Sequence, residues 1–198
     1  AFPGVQALKD VSLAVYGGEV QMLVGQNGAG KSTLIKILCG AYHPDHGDFL
    51  LNGSPIRIES TRDARRLGIA VIFQEFSLVP YLDIAQNIFL GREFPGRIPG
   101  TIDRARLHTE ARRILDLLGM DTDTHTQVHR LGVAQQQMVE IAKALSQNPR
   151  VLVMDEPTAA ISDREIERLF DIIRKLRQDG IAIVYISHRM REVFEIGD

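Results

Sequence analysis

The stretch that most constrains the fold of this chain is a glycine-rich loop, GQNGAGKST, at residues 25–33. It fills the pattern G-x-x-x-x-G-K-[ST], in which glycines let the backbone curl until successive N–H groups face one anion. An apolar run precedes the loop at 20–24, and a helical pattern follows at 33–38. The sequence therefore predicts a strand, a phosphate-binding turn and a helix whose positive end faces the phosphates.

This loop predicts a site for a nucleoside triphosphate and Mg²⁺. The Lys31 ammonium suits the β- and γ-phosphates, and the Ser32 hydroxyl suits the shell of the metal ion. The residues expected to bind the nucleotide are Gly25, Asn27, Gly28, Ala29, Gly30, Lys31, Ser32 and Thr33.

Two adjacent carboxylates, Asp155 and Glu156, follow the apolar run 151–154. Open α/β sheets bind their ligands at the carboxyl ends of the strands. Asp155 is expected to complete the Mg²⁺ shell, as in other phosphate-loop NTPases. Glu156 is then available to polarise an attacking water as a general base.

Strand and helix patterns alternate along the chain, which predicts an α/β fold with a mainly parallel sheet flanked by helices. Before the loop, the runs 11–15 and 20–24 flank Gly17-Gly18 and predict an antiparallel hairpin. Between the phosphate loop and the acid pair, helical patterns dominate, which predicts an inserted helical subdomain at 77–149. The nucleotide-binding core is then expected at 1–76 and 150–198.

Composition narrows the classes of partner. The formal net charge of −2 and the pI near 6.3 provide no basic field, so no nucleic-acid partner is expected.

The single cysteine, Cys39, excludes an internal disulfide. The chain begins without methionine, and we expect it to be a piece of a longer protein.

Further motifs follow in the order expected of one family. Gln74 comes after the apolar run 71–73, the sequence Leu-Gly-Val-Ala-Gln begins at Leu131, and His188 follows the strand pattern 181–186. Together with the phosphate loop and the acid pair, these motifs resemble the nucleotide-binding domain of an ABC transporter over nearly the whole chain. The resemblance implies that the nucleotide is ATP and that the reaction is its hydrolysis.

The resemblance also implies roles for individual residues. Phe2 matches the aromatic side chain that stacks on adenine, and residues 159–162 match the D-loop. Gln74 matches the glutamine that senses Mg²⁺ and the membrane partner, and His188 matches the switch histidine. The implied catalytic residues are Glu156, His188 and Gln74, and the implied metal ligands are Ser32, Gln74 and Asp155.

The signature of this family is typically Leu-Ser-Gly-Gly-Gln, and it binds the ATP held by a partner domain. In this chain Gly132 stands where the serine is expected, and Ala134 replaces the second glycine; Val133 and Gln135 complete the signature. A hydrogen bond from the serine hydroxyl to a charged phosphate is worth roughly 1.5–3 kcal/mol. We therefore expect the partner's nucleotide to be held or hydrolysed less well.

The stretches 40–45, 131–145 and 184–190 resemble ATP-binding subunits of bacterial simple-sugar importers of the ribose, galactose and xylose type. This resemblance implies a peripheral location on the cytoplasmic face of the inner membrane. It also implies that this chain is the first of two such domains. The implied partners are a second nucleotide-binding domain in tandem or as a dimer, transmembrane permease subunits and, indirectly, a periplasmic sugar-binding protein.

Two other classes of function are compatible with the motifs. One is a soluble ABC ATPase that acts on ribosomes or DNA; the DNA-repair type would need a long coiled coil between Lys31 and Asp155, and no sustained heptads occur there. The other is a regulatory module that binds nucleotide without hydrolysis. Gly132 and Ala134 favour the regulatory module, whereas Glu156 and His188 favour an ATPase.

Overall fold

A computed structural model describes residues 6–26, 28–159 and 161–198. The described strands are β1 (Val20–Val24), β2 (Phe49–Leu51), β3 (Ser54–Ile56), β4 (Ile69–Ile72), β5 (Val151–Asp155) and β6 (Ala182–Ser187). The described helices are α1 (Lys31–Leu38), α2 (Thr61–Arg66), α3 (Ile84–Ile88), α4 (Arg104–Leu117), α5 (Val133–Leu145), α6 (Asp163–Gln178) and α7 (Met190–Ile196). None of the described helices has the length and apolar content needed to cross a membrane.

The chain divides into two units. The first contains the described residues up to Val71, together with Pro149–Glu156 and Ile173–Asp198. The second contains Ile72–Asn148 and Pro157–Ile172.

A four-stranded sheet in the order β1-β6-β5-β4 organises the first unit. β6 pairs in parallel with both β1 and β5, and all of its residues are buried. Parallel strands covered on both faces read as continuous apolar runs, which is the pattern seen in this sequence. The predicted α/β fold with a mainly parallel sheet is therefore confirmed.

The register of these strands aligns their carboxyl ends. Val24 of β1 lies opposite Ser187 of β6, and Asp155 of β5 lies opposite Ile186. Consequently, the segments that follow β1, β5 and β6 all leave the sheet at the same edge. Beneath them, Ile35 of α1 packs against the strands in a buried aliphatic cluster.

The antiparallel part of the fold is the pair β2–β3. Asn52 and Gly53 connect the two strands, and both have positive φ, at 52° and 76°. Positive φ at both central residues is what a type I′ hairpin turn requires, and Asn-Gly is the favoured sequence there.

The hairpin predicted from 11–15 and 20–24 is wrong. Residues 11–15 form no strand, and β1 pairs in parallel with β6 instead. The alternation at 11–15 has another origin, because Val15 is partly buried against the aliphatic cluster without joining the sheet. Alternation of apolar and polar residues shows that one side of a segment is buried, but it does not identify the strand with which the segment pairs.

Helices α3, α4 and α5 pack on one another in the second unit. Leu107, Ala111 and Leu115 recur every four residues on α4 and are buried, as expected of one face of an amphipathic helix. Asp83 and Asp103 cap α3 and α4 by accepting hydrogen bonds from the backbone N–H groups three residues later.

Candidate nucleotide site

The phosphate loop begins directly after β1, and its glycines adopt backbone conformations that other residues avoid. Gly28 and Gly30 have φ of 84° and 90°. A Cβ atom at Gly30 would lie 2.6 Å from the carbonyl oxygen of Ala7 and 2.8 Å from Cδ2 of Leu8. The loop is therefore shaped by close approach of two backbone segments at a position that only glycine fits without strain.

Helix α1 begins at Lys31 with its first turn facing the loop. Gly30 occupies the N-cap position, and the described residues supply no side-chain cap. The first intrahelical bond runs from Leu34 N–H to Gly30 O, at 2.9 Å. Helix geometry leaves the preceding N–H groups without an intrahelical acceptor, so they are suited to an anion.

Lys31 is held against the loop by two of its carbonyl groups. Its Nζ donates to the oxygen of Gly25 at 2.5 Å and to that of Gln26 at 3.0 Å. The Ala29 N–H also donates to the Gln26 oxygen, at 3.2 Å, and closes the turn. The ammonium thus lies within the loop whose N–H groups are suited to a phosphate.

Asp155 is the last residue of β5 and is buried, with 9% of its surface exposed. Burial raises the pKa of its carboxyl group and the negative charge of Glu156 adds to the rise, while Lys31 and Lys36 oppose it. A buried acid of this kind is stabilised in its charged form by a nearby cation. The chemistry of Asp155 therefore suits a divalent metal ion. Ser32, the other predicted oxygen ligand in the first unit, is exposed near the start of α1, and both metal roles stay predictions.

Glu156 and His188 lie in contact at the same sheet edge. Nδ1 of His188 is 3.1 Å from Oε1 of Glu156, and the Glu156 side chain is 15% exposed against 56% for His188. Glu156 has a φ of 47°, and its N–H donates to Ile186 O at 3.1 Å. A left-handed backbone at a non-glycine residue is strained, and such strain is common at functional sites.

The structure brings together, in the first unit, the predicted loop residues Gly25, Gly28, Ala29, Gly30, Lys31, Ser32 and Thr33 and the predicted residues Asp155, Glu156 and His188. Gln74 is exposed in the second unit, two residues beyond β4, and its metal and catalytic roles stay predictions. Phe2, Asn27 and, in the D-loop match, Ala160 lie outside the described residues.

The signature residues lie where α5 begins in the second unit. Gly132 is the N-cap residue with an ordinary φ of −66°, and its N–H donates to Oε1 of Gln135 at 3.2 Å. Gly132, Val133 and Gln135 are exposed and Ala134 is partly buried, so three of these residues are accessible on this unit. Their role towards a partner domain stays a prediction.

The sequence did not predict the residue that holds the segment after Gln74, which is Glu140. Glu140 of α5 is buried, and its carboxylate accepts hydrogen bonds from the backbone N–H and the hydroxyl of Ser77. Lys143, one turn further along α5, donates to the same hydroxyl at 2.9 Å. The available signal was a charged residue between the apolar Val139 and Ile141 on the buried face of the helix.

Curated proteins similar to this chain match it along its whole length. It is 55% identical over 197 residues to the ribose import ATP-binding protein RbsA 1 of Rubrobacter xylanophilus, covering 100% of this chain and 39% of the relative. It is 53% identical over 197 residues to a putative ribose/galactose/methyl galactoside import ATP-binding protein of Agrobacterium fabrum, covering 100% of this chain and 38% of that protein. The chain therefore spans about two fifths of the length of these relatives.

Solved structures with the same fold include ATP-binding cassettes. The ADP conformation of MJ1267, a cassette of an ABC transporter, matches 100% of this chain and 81% of that one with a TM-score of 0.87 and 29% identity. The dimeric cassette MJ0796 in a post-hydrolysis state bound to ADP and Pi matches 93% of this chain and 81% of that one with a TM-score of 0.77 and 27% identity. A family model described as ABC transporter matches residues 8–159, which confirms the resemblance drawn from the motifs: this chain belongs to the ABC transporter family.

Proposed function

We propose that this chain is the ATP-binding and ATP-hydrolysing motor domain of an ABC importer that carries a simple sugar. The observation that carries the proposal is the shared sheet edge, where Asp155 ends β5 and the phosphate loop, Glu156 and His188 directly follow aligned strand ends. The names of the similar proteins, which are ribose and galactose import subunits, support the transport class over a soluble ATPase.

Each group at this edge has a chemical task in ATP hydrolysis. Lys31 and the N–H groups at the start of α1 bind the β- and γ-phosphates. Glu156 accepts the proton of the attacking water, and His188, in contact with Oε1, holds that carboxylate in place. Ser32, Asp155 and Gln74 are the proposed ligands of Mg²⁺, which when bound neutralises charge on the phosphate oxygens.

The motor acts as a pair in this proposal. Gly132 to Gln135 face the ATP of a second nucleotide-binding domain, and the dimeric state of the similar cassette MJ0796 supports such pairing. The helical subdomain at 77–149 and Gln74 contact a permease at the cytoplasmic face of the membrane, and a periplasmic binding protein delivers the sugar. The core of the motor is then 1–76 with 150–198.

The hydrolytic half of the proposal is tested with Glu156→Gln in the full-length subunit assembled with its permease. A general base contributes roughly 10²- to 10⁴-fold, so steady-state ATPase activity falls by that factor. Binding of a fluorescent ATP analogue is retained, because glutamine keeps the size of the side chain. Glu167→Gln, the same change at an exposed position on α6, is the control and keeps wild-type activity. Equal turnover in all three proteins would exclude Glu156 as the base.

The transport half is tested separately by sugar uptake in cells that lack the subunit. Cells complemented with wild type take up a labelled simple sugar such as ribose or galactose, and cells complemented with Glu156→Gln do not. ATPase activity without uptake of any simple sugar tested would leave the motor intact and refute the sugar assignment.

A further inference from the structure

Three side chains with metal-binding chemistry meet in the second unit, outside the nucleotide site. Asp83 is the N-cap of α3, His108 lies on α4, and His125 lies in the connection that follows α4. One ligand atom from each of them lies within 4.8 Å of the other two. The fold thus collects one carboxylate and two imidazoles from separated segments.

His108 is oriented as a metal ligand in the tautomer that carries its ring proton on Nδ1. Its Nδ1 is 3.0 Å from the hydroxyl of the buried Thr124, and its Nε2 is 3.8 Å from Oδ2 of Asp83. With the ring proton on Nδ1, shared with Thr124, the Nε2 lone pair faces a carboxylate oxygen. Metal-binding histidines typically have their second nitrogen fixed by such a hydrogen bond.

The separation of 3.8 Å between His108 Nε2 and Asp83 Oδ2 exceeds a hydrogen bond. It matches two ligands of one ion, since bonds of about 2.0–2.1 Å at angles of about 110–130° place the ligand atoms about 3.4–3.8 Å apart. Asp83 Oδ1 is already used, because it accepts the Gln86 N–H at 2.7 Å as the cap of α3. Oδ2 is therefore the atom presented to His108.

His125 contributes the third side chain of the cluster from an exposed position. Its ring stacks on that of His108 with centroids 3.6 Å apart and an angle of 22° between the planes. Its backbone is fixed, because the N–H donates to Oδ1 of Asp123 at 3.0 Å. Stacked rings do not aim both lone pairs at one ion, so coordination by both histidines requires the exposed His125 side chain to rotate, a motion of picoseconds to nanoseconds.

Burial lowers the pKa of His108, with the charge of His125 acting in the same direction and that of Asp83 opposing it. The neutral ring that burial favours is the form that coordinates metals. Nitrogen donors from two histidines and one carboxylate oxygen suit zinc-type ions, whereas Mg²⁺ and Ca²⁺ prefer oxygen ligands throughout.

We propose that Asp83, His108 and His125 bind one divalent transition-metal ion of the zinc class, with water at the remaining position. The ion would tie the start of α3, the middle of α4 and the connection after α4 to one another. The ion would have a structural role within the second unit, and it would be separate from the proposed Mg²⁺ of the nucleotide site.

The test uses full-length protein without a histidine tag or nucleotide, treated with a chelator and desalted. Titration with Co²⁺, followed by its visible absorption, is expected to show one saturable site that Zn²⁺ displaces. His125→Ala removes an exposed ligand, and Asp83→Asn removes the carboxylate but keeps an acceptor for the α3 cap. Each variant is expected to weaken Co²⁺ binding at least tenfold, with unchanged circular dichroism.

The control is His129→Ala, which removes another exposed histidine four residues beyond His125 and is expected to bind Co²⁺ like wild type. Wild-type affinity in both His125→Ala and Asp83→Asn would overturn the site. An equal loss in His129→Ala would overturn it as well, because the binding would then belong to surface histidines in general.

Discussion

Replacement of Gly30 by alanine tests whether the phosphate loop is shaped by close packing as the structure indicates. An alanine at a φ of 90° carries left-handed strain of about 1–2 kcal/mol. Its Cβ would also meet Ala7 O at 2.6 Å, and a backbone atom cannot swing aside as a side-chain end can. Overpacking of this kind adds about 1–3 kcal/mol, so the free energy of unfolding is expected to fall by about 2–5 kcal/mol in total.

Gly28→Ala is the matched control in the same loop. Its φ of 84° is nearly the same, but no described atom lies within 4 Å of a Cβ placed there. Only the strain of about 1–2 kcal/mol is then expected. Urea unfolding of nucleotide-free protein measures both losses, with the m-value checked for constancy. Equal losses in the two variants, or a larger loss in Gly28→Ala, would refute the packing argument.

Two further predictions concern Asp155 and Gly132. Because burial raises the pKa of Asp155, the folded state keeps its proton to higher pH than the unfolded state, and stability falls as pH rises from 3.8 through the raised value. Asp155→Asn is therefore expected to raise the thermal midpoint of metal-free protein at pH 7, while Mg²⁺-dependent ATP affinity falls roughly tenfold or more; a lower midpoint would contradict the first part. At Gly132 the nearest described atom to a Cβ is Gln135 Oε1 at 4.0 Å, so Gly132→Ser fits and, as a better N-cap, raises stability by a few tenths of a kcal/mol. The same variant is expected to raise ATPase activity in the assembled transporter, and unchanged activity would show that the missing hydroxyl is not limiting.

The sequence predicts elements best where local signals are dense. The sequence from 133 to 145 has a helical pattern with the same bounds as α5. Asn52-Gly53 is a strong turn signal in the sequence, and it connects β2 to β3 in the structure. The short strand β3 was not predicted, because Pro55 is unusual in strands. Proline is tolerated here because β2 and β3 form a two-stranded sheet, in which both strands are edge strands.

What the sequence could not predict depends on contacts between distant segments. The pairing of β1 with β6 joins Val20 to Ile183, and no local pattern selects that partner over a hairpin with 11–15. The bond between Ser77 and Glu140 likewise joins residues 63 positions apart. Such contacts depend on which surfaces are buried against each other, and a single sequence shows only which segments are able to pair.

In the nucleotide site, strand register brings residues that are far apart in the sequence into contact. Glu156 and His188 are 32 positions apart in the chain, yet they touch because β5 and β6 end side by side. The Glu156 N–H donates to Ile186 O, so the sheet itself supports the strained backbone of this residue. A carboxylate held by such backbone support needs little rearrangement at the moment of reaction. We therefore infer that mutations weakening the β5–β6 pairing reduce hydrolysis even where they leave every motif residue unchanged.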